Sequence, residues 1–500
     1  MNQYLLRIEA ANFDYSVYDT HDISTIRGGS FMLLDAFDRL KAELKTKRLV
    51  RDIGSSASIG LFAFEAENDQ AAQAIKAQIL NEPSLKELHD LKFATLLTEV
   101  MPVEPKQSFQ ENLHSLAAKV RWQQYKTAAM CLPQETDREE ACKLDGVRPA
   151  VQDDRQGDQV IKVSSAVYAR RDRGKGLRQK FYEELLGAKE FSTGKYAFTN
   201  DLEALASDPN RGNLHSKIAF IHLDGNRFGR TRDAKCVKET LLLDFQNHIQ
   251  ERLRKPALRS LIQFAIAPGN ESFKYNNPKT QKPEIRLETP LWGGDEMEWV
   301  VPAWQALNVL EVFFKAASQA ENWEGIRLTH AAGVVFCHHN LPILQVRRYA
   351  RQLCDLAKKG LPTAVDQITA DANRVAFLNL SAFDLIGSEV KEFLKAYNQP
   401  AQPEDFVVHD AASALPLWQK HLLVLKKHFP RNKIHALLRA LKERKEQEVK
   451  DILERVEKLM NEKIWRETVA PAIAYLTQDH QNFNRWFLIA DLINYVGEDR

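Results

Sequence analysis

The pattern of apolar and polar positions over the first hundred residues predicts strands at 4–10, 57–65 and 91–100, with a Gly-started amphipathic helix at 28–48 and a helix at 68–82. Strand, helix, strand, helix, strand is the order of a small α+β domain. A second block repeats it between 215 and about 390: strand 217–223, helix about 234–254, strand 259–267, hairpin 284–301, helix 303–320, strand 328–337, helix 341–358 and strand 374–380. Between the blocks, 130–180 loses its periodicity and reads as an irregular connector. Beyond about 400 the pattern is helical, and the charge-dense stretch 441–460 keeps apolar residues at helical spacing. The repeated element order points to an old duplication, although no residue-level repeat accompanies it.

Five hundred residues at 44% hydrophobic and 27% charged describe a globular chain of three or four domains, at roughly 100–200 residues each. The formal charge of only +2 excludes a global basic field, so any nucleic-acid contact must come from local patches. The five cysteines (131, 142, 236, 337 and 354) form no CxxC pair, the N-terminus has no basic segment followed by a long apolar stretch, and no run approaches the length of a membrane span. These features predict a cytoplasmic, reducing setting and no membrane partner.

Two segments carry the candidate chemistry. A buried run, Ile218 to Leu223, delivers Asp224 and then the turn residues Gly225 and Asn226. Further on, a Gly293-Gly294 turn presents Asp295 and Glu296 just before a strand in which Met297, Trp299 and Val301 alternate with Glu298 and Val300. A carboxylate at a strand end, facing carboxylates on an adjacent hairpin, is what nucleotidyl transfer needs, because divalent ions held there neutralise a triphosphate and activate the attacking hydroxyl. Asp224, Asp295 and Glu296 are thus the expected catalytic residues, and with Gly225 the expected ligands of two Mg2+ or Mn2+ ions. The structural reading of the same residues is an Asp at a turn and an Asp at a hairpin corner, both common.

Five segments in order carry a family resemblance: Ile26 to Ser30, Asp224 to Gly229, Gly293 to Glu296, Ala331 to Ile343 and Asp355 to Lys358. Through them the chain resembles the large polymerase-like subunit of type III CRISPR effector complexes. The resemblance implies an α+β fold: a non-catalytic ferredoxin-like palm domain (1–115), a connector with a degenerate zinc-ribbon-like segment (116–210), a second palm with the acidic hairpin (211–395) and a C-terminal helical domain (396–500). It implies a metal-dependent nucleotidyltransferase that makes cyclic or linear oligoadenylate from ATP in antiviral defence, with guide RNA and other effector subunits as partners. Gly225, Asn226, Gly293, Gly294, Lys358, Ser381 and Asp384 become nucleotide-binding residues.

Three departures stand out. The first palm starts at once, without the HD nuclease domain that often precedes it; His21-Asp22 has none of that domain's other ligands. Only Cys131 and Cys142 remain of the zinc ribbon, too few for a tetrahedral site, so structural zinc is not expected. Glu296 stands where the family usually has a second aspartate. Two alternatives follow: an inactive palm scaffold that binds guide RNA and neighbouring subunits, or a stand-alone cyclase. The inhibitory signature of diguanylate cyclases is missing, since Arg286 is followed by Leu287, Glu288 and Thr289.

Arg170, Arg171, Arg173, Lys175 and Arg178 form a basic run that would suit a phosphate backbone, or equally a solvated loop. Lys358, at the end of a helix, would reach a triphosphate as a point charge, with Lys359 the adjacent alternative; a Lys at a helix C-terminus also answers the helix dipole. His338 and His339 read as a solvated loop pair, and 441–460 as a salt-bridged helix face.

Overall fold

The computed structural model describes residues 1–500 except 48–49, 57, 92–93, 128–139, 187–195, 200, 279, 381–386, 388, 398 and 498–500. Two units emerge. One comprises Met1–Lys189, Arg227–Arg252 and Thr289–Met297, the other Glu190–Asn226, Leu253–Glu288 and Glu298–Arg500.

In the first unit, β1 (Asn2–Ala11), β2 (Arg51–Asp52), β3 (Ile59–Ala66) and β4 (Thr95–Pro102) form an antiparallel sheet in the order β2-β3-β1-β4. β1 is central, so Leu6 lies opposite Phe62 on one side and Val100 on the other. Tyr4, Leu6 and Ile8 share one face and pack with Phe37, Leu40 and Leu44 of the helix Ile23–Lys47. Each large apolar side chain buried there contributes about 1.5–3 kcal/mol. Asp22 begins that helix: its Oδ1 accepts from the Thr25 backbone N–H at 2.8 Å and the Thr25 hydroxyl at 2.7 Å, so the His21-Asp22 dipeptide includes a helix cap.

The expected irregular connector is largely regular. β5 (Gln152–Gln156) and β6 (Gln159–Val163) pair as a hairpin, and Cys142 belongs to a small core with Ile161, Val163 and Val167. Cys131 lies outside the described residues. The basic run is not a loop but part of the helix Ser165–Leu186. Arg170 is wholly buried, pairing with Asp19 at 2.8 Å and donating to the Ser16 carbonyl at 2.6 Å. Arg148 reaches the same Asp19 at 2.5 Å. Arg171 is buried against Asp154, Arg173 pairs with Asp35 at 2.7 Å, and Lys175 lies 3.4 Å from Asp154. Arg170 and Arg171 thus pair with half-buried carboxylates and present little surface to a phosphate, while Arg178 is half-buried on the same helix.

This helix crosses Ile23–Lys47 backbone to backbone. A Cβ on Gly28 would lie 1.7 Å from the Arg170 carbonyl oxygen, and one on Gly174 2.0 Å from that of Ser24. The glycine pair at 28–29 therefore includes a packing requirement.

The second unit contains β7 (Ala197–Phe198), β8 (Lys217–Gly225), β9 (Lys274–Asn276) and β10 (Pro283–Ile285). Next along the chain, β11 (Glu288–Gly293) leads through a turn into β12 (Glu296–Pro302), followed by β13 (His330–His338), β14 (Arg374–Asn379) and β15 (Val407–Val408). A small sheet runs β7-β10-β9, and a larger one includes the order β12-β8-β13-β14-β15. β8 and β13 are antiparallel, while β13 and β14 are parallel. Trp299, Phe313 and His330 meet edge-on across one face, at 5.7 and 5.3 Å between successive centroids. Where a strand is expected at 259–267, the chain is the helix Lys255–Ile266. Its buried residues Leu258, Leu261, Ile262 and Ala265 follow helical spacing, which a short apolar run does not distinguish from a strand. The stretch 441–460 spans the end of the helix Arg431–Lys442 and the helix Glu446–Leu459.

Candidate active site

Strand β8 is buried from Ile218 to Leu223 and half-opens at Asp224. The chain then turns at Asn226, whose backbone N–H donates to the Thr329 carbonyl at 2.8 Å. The Asn226 side-chain amide donates to the Thr329 hydroxyl at 3.1 Å and the Ala372 carbonyl at 2.7 Å. Asn226 is buried, and its Nδ2 donors hold the turn in place. That turn fixes where Asp224 points.

Opposite Asp224 in register is Ala331, and opposite His222 is Gly333, so all four lie on one face. The helix Ile343–Ala357 covers that face and depends on Gly333, because a Cβ there would stand 1.9 Å from the Ala350 carbonyl oxygen. Lys358 follows as the C-cap. Its ammonium pairs with the Asp224 carboxylate and lies 3.3 Å from the Gly225 carbonyl oxygen. The two oxygen donors expected to bind a metal are thus already gathered around one cation. A carboxylate and a backbone carbonyl are the hard donors that Mg2+ or Mn2+ takes. Among the described residues, no group of three or more His, Cys, Asp or Glu forms a metal-holding cluster. Lys359 pairs instead with Glu404.

The helix is also anchored by a constellation that sequence reasoning missed. Glu298 is fully buried, with Oε1 2.7 Å from Arg347 Nε and 3.1 Å from His222 Nδ1. It ties β12, β8 and the Lys358-bearing helix together. The available signal was a histidine inside the apolar run 218–223 and a glutamate inside a strand. Removing one partner of such a buried pair costs about 3–5 kcal/mol, because the other charge stays buried. Glu298→Gln is expected to lower unfolding stability by about 3 kcal/mol, read as a drop in the urea midpoint.

His330, on the opposite face of β13, donates its backbone N–H to Asn373 Oδ1 at 3.0 Å. Its ring is pushed down to about 3 by burial first, then by the Lys358 and Arg254 charges. In the unfolded chain the ring takes up a proton near about pH 6.5. Between that value and 3 the unfolded state binds the extra proton, so this stability is complete above about pH 6.5 and is lost as pH falls, by about 1.4 kcal/mol per unit. Urea melts at pH 7 and pH 5 should show the drop, reduced in His330→Gln.

Gly293, Gly294, Asp295 and Glu296 lie in the first unit. Gly294 takes φ +52°, the conformation that a two-residue turn between β11 and β12 draws from glycine. Within that unit β11 is held to the helix Ser165–Leu186: Trp292 packs edge-on against Phe181 at 5.7 Å, and the Thr289 and Tyr182 hydroxyls are 2.7 Å apart. Asp295 and Glu296 are both half-buried. Ser381 and Asp384 lie outside the described residues. His338 and His339 stack on each other at 4.6 Å.

These sheets and helices define a mixed α+β fold, and the same fold occurs in solved structures of the Csm1–Csm4 cassette, in the Csm1 chain. The cassette in complex with cA4 aligns at a TM-score of 0.55 and 12% identity, covering 99% of this chain and 70% of that chain. The cassette with one ATP gives 0.55 and 13%, with coverages of 99% and 70%. The Csm1–Csm4 subcomplex of the type III-A CRISPR-Csm interference complex gives 0.51 and 12%, again over 99% and 70%. At such identities the likeness is one of fold. No protein-family model matches the sequence, and no curated protein does.

Proposed function

We propose that the chain is a palm-type nucleotidyltransferase that makes cyclic or linear oligonucleotides, with ATP as substrate, as a subunit of a CRISPR effector complex. The observation that carries this reading is the gathering of the Asp224 carboxylate and the Gly225 carbonyl around one cation at the end of β8, in a fold shared with structures that hold ATP or cA4. The strand–helix–strand–strand–helix–strand order of the first sheet supports reading it as a palm, and the β8 sheet as its counterpart.

Asp224 and Gly225 would hold a divalent ion, and Asp295 and Glu296 would supply further carboxylates; that second assignment rests on their turn and on the motif resemblance. When bound, such ions lower the pKa of a ribose hydroxyl and stabilise departing pyrophosphate. Lys358 holds the Asp224 carboxylate in place, and stands within one side chain's reach to meet a triphosphate once a metal takes its place. The glycines at 293 and 294 would admit phosphate close to the backbone. Guide RNA and neighbouring effector subunits are the partners we propose, in a cytoplasmic setting. No described helix is long and apolar enough to cross a membrane.

One observation favours an inactive scaffold as the second reading: the Asp224 carboxylate is already paired with the Lys358 ammonium. Titration of Mn2+ and ATP into the full chain separates the two. The enzyme reading predicts Mn2+-dependent ATP binding that Asp224→Asn weakens at least tenfold, whereas a scaffold binds equally poorly in both.

A further inference from the structure

The C-terminal half of the helix Phe109–Lys126 turns two aromatic rings to solvent. Trp122 is 62% exposed and Tyr125 86%, with ring centroids 6.5 Å apart. The helix does not need them for packing: Leu116 and Val120 face inward, and Val120 joins Ala11 and Leu97 in a core. Two large exposed rings side by side form an apolar patch of the kind that marks an interaction site.

Their surroundings identify the chemistry of that partner. From 112 to 127 the sequence contains no acidic residue, but it contains Lys119, Arg121 and Lys126. Lys119, Trp122 and Lys126 follow one another at i, i+3 and i+7, so a single stripe alternates cation, ring, cation. Lys126 Nζ lies 4.8 Å over the Trp122 ring. Arg121 lies 3.3 Å from Glu9, which is shared with Arg7, so Lys119 and Lys126 supply most of the patch's charge.

We infer that this stripe binds single-stranded nucleic acid, with unpaired bases stacking on Trp122 and Tyr125 and phosphates meeting Lys119 and Lys126. Protein interfaces are depleted in lysine, whereas alternating rings and cations match the alternating bases and phosphates of a strand. A duplex hides its base faces, so the strand must be single. Binding of this kind requires neither metal nor triphosphate.

The test uses the full chain and a labelled single-stranded RNA of mixed sequence, without NTP or divalent ions, at several salt concentrations. Trp122→Ala with Tyr125→Ala should weaken binding at least tenfold while circular dichroism and the melting midpoint stay unchanged. Lys119→Gln with Lys126→Gln should flatten the slope of log affinity against log salt by about 1.4, at about 0.7 for each phosphate no longer neutralised. Ultraviolet cross-links should map to Trp122 or Tyr125. Unchanged affinity in the aromatic pair, or cross-links confined to other segments, overturns the inference. So does shielding of Trp122 by an added protein partner while RNA binding is unaffected, which would make the stripe a protein interface.

Discussion

Asp295→Asn is expected to abolish nucleotide polymerisation while leaving the fold and any RNA or subunit binding intact. Asn and Asp are nearly equal in size, and Asp295 is half-buried at a turn, so packing changes little. What disappears is the charge that, on the proposed function, would hold a hard cation. Losing that stabilisation commonly costs several kcal/mol in the transition state, on the order of a thousandfold in rate. Steady-state product formation from ATP, measured beside a melting curve, checks both halves. An inactive scaffold predicts no difference between the proteins, since neither makes product.

The second large effect is on stability. Gly333→Ala is expected to cost about 3 kcal/mol or more, at or beyond the upper end of ordinary overpacking, which runs to about 3 kcal/mol. The new Cβ would stand 1.9 Å from the Ala350 carbonyl oxygen and 2.5 Å from the Cys354 backbone nitrogen. Both obstacles are backbone, so no side chain can swing aside and the whole helix Ile343–Ala357 must lift. Lys358 rides on the end of that helix, so the Asp224–Lys358 pair loosens with it. Gly176→Ala is the control: nothing lies within 4 Å of its Cβ position, and replacing a helical glycine there should be neutral or stabilise by up to about 1 kcal/mol. Urea unfolding of the two variants measures the contrast.

The elements that build the Asp224 site were legible because their apolar patterns are strong. The run 218–223, the strand ending at His338 and the helix capped by Lys358 all appear within a few residues of their expected positions. The helix Ser165–Leu186 was illegible because charge and glycine replace apolar residues on its inward face: Arg170 and Gly174 occupy positions that periodicity expects a Leu or Val to fill. Their partners, Asp19 and Ser24, lie about 150 residues away in sequence, and no local rule brings them near. Glu298 hid for the same reason. A glutamate in an alternating strand reads as solvent-facing until Arg347 and His222 arrive from other elements. The structural part that Asn226 plays was not legible either, because Thr329 and Ala372, which accept from its Nδ2, lie more than 100 residues away. The run 259–267 was misread because apolar length alone does not choose between strand and helix.

The central claim, that the carboxylate-bearing end of β8 belongs to a nucleotidyltransferase, is tested most directly by product analysis. The full chain is incubated with each labelled NTP and Mg2+ or Mn2+, alone and with candidate RNA and protein partners, and the products are resolved by mass spectrometry beside Asp224→Asn. The account predicts adenosine-containing oligonucleotides and pyrophosphate from the unaltered protein, and neither from the variant. No product from any NTP under any of these conditions, or equal product from Asp224→Asn, would contradict it.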